Sequence, residues 1–277
     1  MERYRGMDRA ALDVAYSNRS VVTDWQDYLD RWTRAGAPLY AEKATARDLA
    51  YGDKPRQRID LFLADDPAAP TCLFLHGGYW QWNDKEGQAF VAAGLLANGI
   101  NAAIGEYTLA PAADMGGICA EALAQVDYLA DQLAARGRDA SRLYLCGIST
   151  GAHLVAQALD HPQVRGALLI SGIYDLEPIR VSSLNEPIGM DMAEARRFSP
   201  LHQTPLSTPP VVIAYGADEI PEIRRQSDDY AAALSFLGRD VARIAVPGCN
   251  HFSVLEQLAA PDGVLAAALA ALVARTA

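Results

Sequence analysis

The stretch from Leu143 to Leu154 constrains this chain more than any other. Leu143, Tyr144, Leu145 and Cys146 form a short apolar run that reads as a buried strand. The run enters Gly147-Ile148-Ser149-Thr150-Gly151 without a linker, and residues 152–159 then read as helix. A strand that turns at once into a helix forces its junction residue into a strained backbone conformation. Residues without a side chain are needed on either side of that junction, hence Gly147 and Gly151. Such a turn lifts the Ser149 hydroxyl clear of the sheet, with a helix N-terminus behind it that favours negative charge. A pentapeptide of this kind arises easily by chance, so its meaning depends on what the rest of the chain supplies.

The chain supplies alternating strands and helices. Residues 57–63 alternate, with Ile59, Leu61 and Leu63 on one side, and read as the strand that starts the sheet. Residues 71–75 are continuously apolar, as expected of a strand covered by helices on both faces. Further strands are expected over residues 100–107, 164–171, 210–215 and 241–246. Helices are expected over 84–97, 223–237 and 262–275. Ile118, Ala122, Val126, Leu129 and Leu133 mark another, stopped near Gly137. The alternation implies an α/β fold with a mostly parallel central sheet and helices on both faces.

Two segments depart from it. An N-terminal helical arm, about residues 8–45, carries a capping-box pattern from Thr23 to Gln26. It then places Trp25, Tyr28, Leu29 and Trp32 on one helical face, which is expected to pack across the domain and lies where it would also wall a pocket. Residues 172–210 are rich in proline (Pro178, Pro187, Pro200, Pro205, Pro209, Pro210), with a short helical piece at 193–197. An excursion after the C-terminal end of a strand stands at the edge where open α/β sheets bind ligands, so it reads as a small cap. With no low-complexity linker or internal repeat, residues 1–277 read as one domain.

Composition excludes several classes. The net charge of −10 argues against nucleic acid or an anionic membrane surface as partner. No run approaches the length of a membrane span, and residues 1–10 lack the apolar core of a signal peptide. The four cysteines are scattered. Cys72 and Cys146 fall in expected core strands, and Cys249 stands two residues from His251. A reduced, cytoplasmic protein is the simplest expectation, with homodimerisation compatible but no interface legible. No H-E-x-x-H, paired C-x-x-C or phosphate-binding glycine loop occurs, so neither metal nor cofactor is expected.

A serine hydroxyl needs a base to become a nucleophile. The order strand, Gly-x-Ser-x-Gly, helix resembles that of the α/β-hydrolases, and this resemblance implies a chain order of serine, acid, histidine. Ser149 is then the nucleophile. Of the five histidines, His76 precedes a Gly-Gly turn that it would order, His153 points away from the junction, and His161 and His202 sit in polar loops. His251, after the last strand, comes late enough to be the base. The acid should follow the strand at 210–215, where Asp218 and Glu219 are both candidates; Glu222 suits the start of the next helix. Two N–H groups should face the developing oxyanion: that of Thr150, and one from the loop of Gly77, Gly78 and Tyr79.

From His76-Gly77-Gly78-Tyr79-Trp80 onward the sequence is more specifically similar to the kynurenine formamidase (arylformamidase) branch of that superfamily. Gly151-Ala152-His153-Leu154, Ser171-Gly172-Ile173-Tyr174-Asp175-Leu176, Glu222-Ile223-Arg224-Arg225-Gln226-Ser227 and Asn250-His251-Phe252 match the same branch. The resemblance puts the acid on Glu219, with Asp218 the alternative, and the oxyanion donors at Gly78, Tyr79 and Thr150. It implies cleavage of N-formyl-L-kynurenine to kynurenine and formate without a cofactor, with Gly77, Trp80, Trp82 and Tyr174 against the substrate. Ile148 and Thr150 depart from the His and Ala common at those positions, and Thr150 sets a β-branched hydroxyl beside the oxyanion site. A short-chain carboxylesterase is the second expectation, and a non-catalytic ligand-binding protein of the same fold the third.

Overall fold

The computed structural model describes residues 2–203 and 208–276. Its centre is an eight-stranded sheet: β1 (Ala44–Ala50), β2 (Arg58–Phe62), β3 (Thr71–Leu75), β4 (Asn101–Gly105), β5 (Leu143–Ile148), β6 (Val164–Ile170), β7 (Val211–Gly216) and β8 (Val241–Val246). The spatial order is β1-β2-β4-β3-β5-β6-β7-β8. β2 runs antiparallel to both β1 and β4, and every other pairing is parallel. All six residues of β5 are buried, and it lies between β3 and β6. The loops at the C-terminal ends of the parallel strands therefore gather around the residue that follows β5.

Twelve helices flank the sheet: α1 (Arg9–Ala15), α2 (Asn18–Val21), α3 (Trp25–Glu42), α4 (Lys85–Gln88), α5 (Ala92–Ala97), α6 (Met115–Ala135), α7 (Thr150–Gln157), α8 (Glu177–Val181), α9 (Met192–Arg197), α10 (Pro221–Phe236), α11 (Ser253–Ala259) and α12 (Val264–Arg275). Two hydrophobic layers result. One joins the face of β3 and β5 carrying Leu73, Leu75 and Leu145 to α6, α7 and α10; the other joins Cys72, Phe74 and Cys146 to α5, α11 and α12. Cys72, Cys119, Cys146 and Cys249 are free, buried thiols. No single helix among the described residues is long and apolar enough to cross a membrane.

Several sequence expectations change. The sheet begins at β1, not at residues 57–63; β1 is an edge strand whose inward positions, Ala44, Ala46 and Leu49, are only half-buried, and its alternation slips at Asp48, which sits at φ 54°, so it carries little apolar signal. The helix expected over 84–97 is broken by a 3₁₀ turn at Ala89–Val91. α3 is capped by Asp24 rather than Thr23, without a side-chain cap hydrogen bond. Its aromatic face packs as expected: Trp32 stacks on Phe90 at 5.0 Å and Tyr28 on Phe252 at 5.6 Å. Of the excursion expected over 172–210, residues 204–207, including Pro205, lie outside the described residues. The rest is α8, α9 and two 3₁₀ turns, and α9 carries a full capping box between Asp191 and Glu194.

Candidate active site

Ser149 sits between β5 and α7 with φ 57° and ψ −119°, its N–H donating to Ile170 O at 2.8 Å. The flanking glycines are there because backbone passes too close for a side chain. A Cβ on Gly151 would stand 2.0 Å from Leu75 O, and one on Gly147 would stand 2.4 Å from the Gly151 carbonyl. The turn costs strain, and the sheet on either side holds it in place.

Ser149 and His251 line one cavity of about 550 Å³. His251 lies in the loop after β8, and its Nδ1 is 2.6 Å from Glu219 Oε2. A carboxylate only accepts, so Nδ1 carries the proton and Nε2 is left unprotonated in the neutral ring. The Glu219 side chain is fully buried. Its other oxygen, Oε1, accepts from Gly216 N–H at 2.7 Å and from the Ser171 hydroxyl. The pair is thus fixed from two sides: β7 and the end of β6 grip the carboxylate, and the carboxylate orients the imidazole. Asp218 is exposed, with its N–H on Cys249 O at 3.0 Å. Of the two acids left open by residue type, the fold brings Glu219 to His251 and turns Asp218 to solvent.

The loop after β3 forms the opposite lip. His76 is fully buried; its Nε2 is 2.8 Å from Glu106 Oε1, its Nδ1 is 2.8 Å from Gly77 O, and its ring stacks on Tyr107. Burial pushes the Glu106 carboxyl up, but His76, Arg56 and the Lys85 N–H together bring it below its ordinary value. Gly78 has φ 121°, and a Cβ there would meet Trp82 O at 2.3 Å. Tyr79 and Trp80 follow at φ 50° and 58°, an unusual left-handed pair. Neither the Tyr79 nor the Thr150 N–H donates to a protein acceptor among the described residues. The Thr150 side chain is buried with the elbow.

Of the aromatic and glycine positions expected against a substrate, Trp82 lines the cavity. Trp80 does not: the double left-handed turn sends its ring into the core, fully buried and edge-on to His153 at 5.0 Å. Tyr174 is likewise fully buried, stacked on Tyr230 at 4.4 Å. Gly77 lies beneath the cavity, where a Cβ would be 3.0 Å from both Ile148 O and Ser149 Cβ. His153 is buried with Nε2 2.8 Å from Phe198 O, and burial lowers its pKa to about 4. His161 pairs with Asp127 at 3.1 Å, and His202 is exposed beside Asp175.

Sequence reading missed most of the outer wall. It comes from Asp13, Tyr16, Ser17, Asn18 and Arg19 of the arm, from Ser183, Leu184, Glu186 and Pro187 of the excursion, and from Phe252. The arm does wall the cavity, through residues preceding the aromatic face of α3. Tyr16 O accepts from the Tyr79 hydroxyl at 2.7 Å, a contact 63 residues apart in sequence that no local periodicity could reveal. Among the described residues no group of three or more His, Cys, Asp or Glu side chains is arranged to hold a metal ion.

A serine on a strained strand–helix junction, lining one cavity with a carboxylate-oriented histidine at the C-terminal edge of a parallel sheet, defines a hydrolase class, and the family comparison agrees. The model of the α/β-hydrolase fold matches residues 72–255, and the chain belongs to that family. It is an arylformamidase-like hydrolase: it is 35% identical over 229 residues to the kynurenine formamidase of Danio rerio, covering 77% of each chain. It is also 24% identical over 251 residues to an isoprenylcysteine alpha-carbonyl methylesterase of Arabidopsis thaliana, covering 79% of this chain and 59% of that one. A Silicibacter protein provisionally described as a thioesterase superposes with a TM-score of 0.84 at 30% identity, over 92% of this chain and 97% of its own.

Proposed function

We propose that Ser149, His251 and Glu219 form a catalytic triad that hydrolyses an aryl formamide, with N-formyl-L-kynurenine as substrate. The observation that carries this reading is the hydrogen bond from His251 Nδ1 to the buried Glu219, on the wall of the cavity that Ser149 also lines. The likeness to kynurenine formamidases supports the substrate. Ser149 Oγ attacks the formyl carbon while His251 Nε2 takes its proton. The carbonyl oxygen becomes an oxyanion facing the N–H groups of Tyr79 and Thr150, with Gly78 allowing the loop backbone to approach. The C–N bond breaks, His251 returns the proton to the departing arylamine, and a formyl ester remains on Ser149. Water, deprotonated by His251, attacks that ester; formate leaves and Ser149 recovers its proton. No step needs a metal or cofactor. The described part of residues 172–210 serves as a cap over a single catalytic domain, and the partner is a small molecule.

A second reading, a short-chain carboxylesterase, is favoured by the likeness to a methylesterase, since the same groups cleave esters with better leaving groups. Initial rates on N-formyl-L-kynurenine and on p-nitrophenyl acetate through butyrate separate the two. The formamide is expected to give the highest kcat/KM, and Ser149→Ala is expected to lose about 10⁴-fold or more on every substrate. Turnover of esters alone would assign the esterase reading. Full activity in Ser149→Ala would remove the triad.

A further inference from the structure

Arg19 is the feature of the cavity that the hydrolytic chemistry leaves unused. It stands on α2, in the outer wall of the space that also holds Ser149. Its guanidinium lies 4.2 Å over the Trp25 ring and 5.0 Å from the Trp82 ring centre. Contact with two indoles holds the plane of the group and leaves its N–H edges free. Among the described residues those N–H groups find no carboxylate and no hydrogen-bond acceptor, in a chain whose net charge is −10. Other acidic groups in the wall are already engaged: Asp13 accepts from the Ser183 N–H and hydroxyl, each at 2.7 Å, and Glu186 pairs with Arg9.

Asn18, beside it, points the same way. It lines the cavity, is 7% exposed, and its Oδ1 is buried without a hydrogen-bond partner among the described residues. A buried amide left unpaired costs stability unless a ligand completes it. A half-turn of the amide exchanges its ends and offers an N–H₂ donor at the same place.

We propose that Arg19 and Asn18 form a carboxylate-binding subsite in the outer wall of the cavity, selecting substrates that carry an anion remote from the bond to be cleaved. The inference rests on the proposed function only in taking this cavity as the substrate site. The guanidinium fork fits a carboxylate through two parallel N–H···O bonds, and Asn18 adds a third donor. Trp82 then has two tasks, as a wall for an aryl ring and as a support for Arg19. For N-formyl-L-kynurenine the bound group is the amino-acid carboxylate, at the far end of the molecule from the formamide.

Two matched pairs of substrates test it. One is N-formyl-L-kynurenine against 2′-formamidoacetophenone, the same aryl ketone without the amino-acid end. The other is mono-4-nitrophenyl glutarate against 4-nitrophenyl butyrate. The quantity read is the ratio of kcat/KM, charged over neutral, within each pair. In Arg19→Gln the ratio should fall roughly ten- to a hundred-fold, mostly through KM, and Arg19→Lys should restore part of it. Asn18→Asp, which sets a like charge beside the anion, should lower it too. If both members of a pair fall together in Arg19→Gln and the ratio holds, the subsite is overturned. If the formamides are not cleaved but the ester ratio depends on Arg19, the subsite stands and the formamidase reading falls. If the formamide is cleaved and neither ratio responds to Arg19, the formamidase reading stands without the subsite.

Discussion

The inner and outer walls of the cavity are built differently. The inner wall, with Ser149 and His251 backed by the buried Glu219, stands at strand ends and is held by backbone: Gly151 packs against Leu75 O, Gly216 donates to Glu219, and Ser149 donates to Ile170 O. The outer wall, with Asp13, residues 16–19, Ser183, Leu184, Glu186 and Pro187, consists of short helices and turns joined by side-chain contacts. Arg9–Glu186 is exposed on both sides, and Asp13 reaches Ser183 across the gap between arm and excursion. Bond-breaking needs fixed geometry, and the groups proposed for it stand at the sheet's edge. Choice of substrate needs only shape and charge, which short surface segments supply at little cost to the fold.

If this division is real, damage to the inner wall should appear in kcat. Glu219→Gln keeps the shape of the side chain but loses the charge that steadies the imidazolium. The expected result is a fall in kcat of about 10²- to 10⁴-fold with little change in KM. A fall confined to KM would erase the contrast with the Arg19 variants.

The next largest effect concerns the tie between the walls. His153 on α7 holds Phe198 O, at the end of α9, and its Nδ1 is buried with no acceptor for a second proton. Burial lowers its pKa from 6.5 to about 4. The unfolded chain therefore binds a proton below about pH 6.5 that the folded chain refuses until about pH 4. The neutral ring's contribution is fully present above pH 6.5 and is lost as pH falls through that window, about 3 kcal/mol in total. Urea unfolding of His153→Gln, which keeps a donor for Phe198, should show a shallower fall in stability between pH 6.5 and 4.5 than wild type. Parallel curves would mean that the proton is refused elsewhere.

The smallest effect sharpens the comparison most. Asp218→Asn changes a carboxylate next in sequence to Glu219 but exposed to solvent. Its kcat should stay within about twofold of wild type. A loss comparable to that of Glu219→Gln would show that both carboxylates act on the histidine.

The contrast between the walls also divides what was legible in the sequence. Ser149 and its glycines were readable because strand, turn and helix are contiguous, and steric demand acts over a few residues. His251 and the pair of acids were readable because strands β7 and β8 announce themselves by apolar runs and loops follow them. The aromatic positions were half misread: Trp80 and Trp82 are two residues apart, yet the left-handed turn at Tyr79 and Trp80 buries one and leaves the other 39% exposed in the cavity. β1 was invisible because its inward positions are two alanines and one leucine, only half-buried, and its alternation slips midway. The arm residues Tyr16, Asn18 and Arg19 gave no signal, since their meaning comes from groups far away in the chain.

By itself, then, the sequence determined the α/β architecture and singled out Ser149, His251 and the segment holding Asp218 and Glu219, because hydrophobic periodicity and turn sterics are local properties of a chain. Tertiary structure alone decided which carboxylate meets His251, which tryptophan lines the cavity of Ser149, and that Arg19 stands in the same cavity with no acceptor among the described residues. Those outcomes depend on where separate segments come to rest in space, and burial and hydrogen bonding are settled only when all of them are in place.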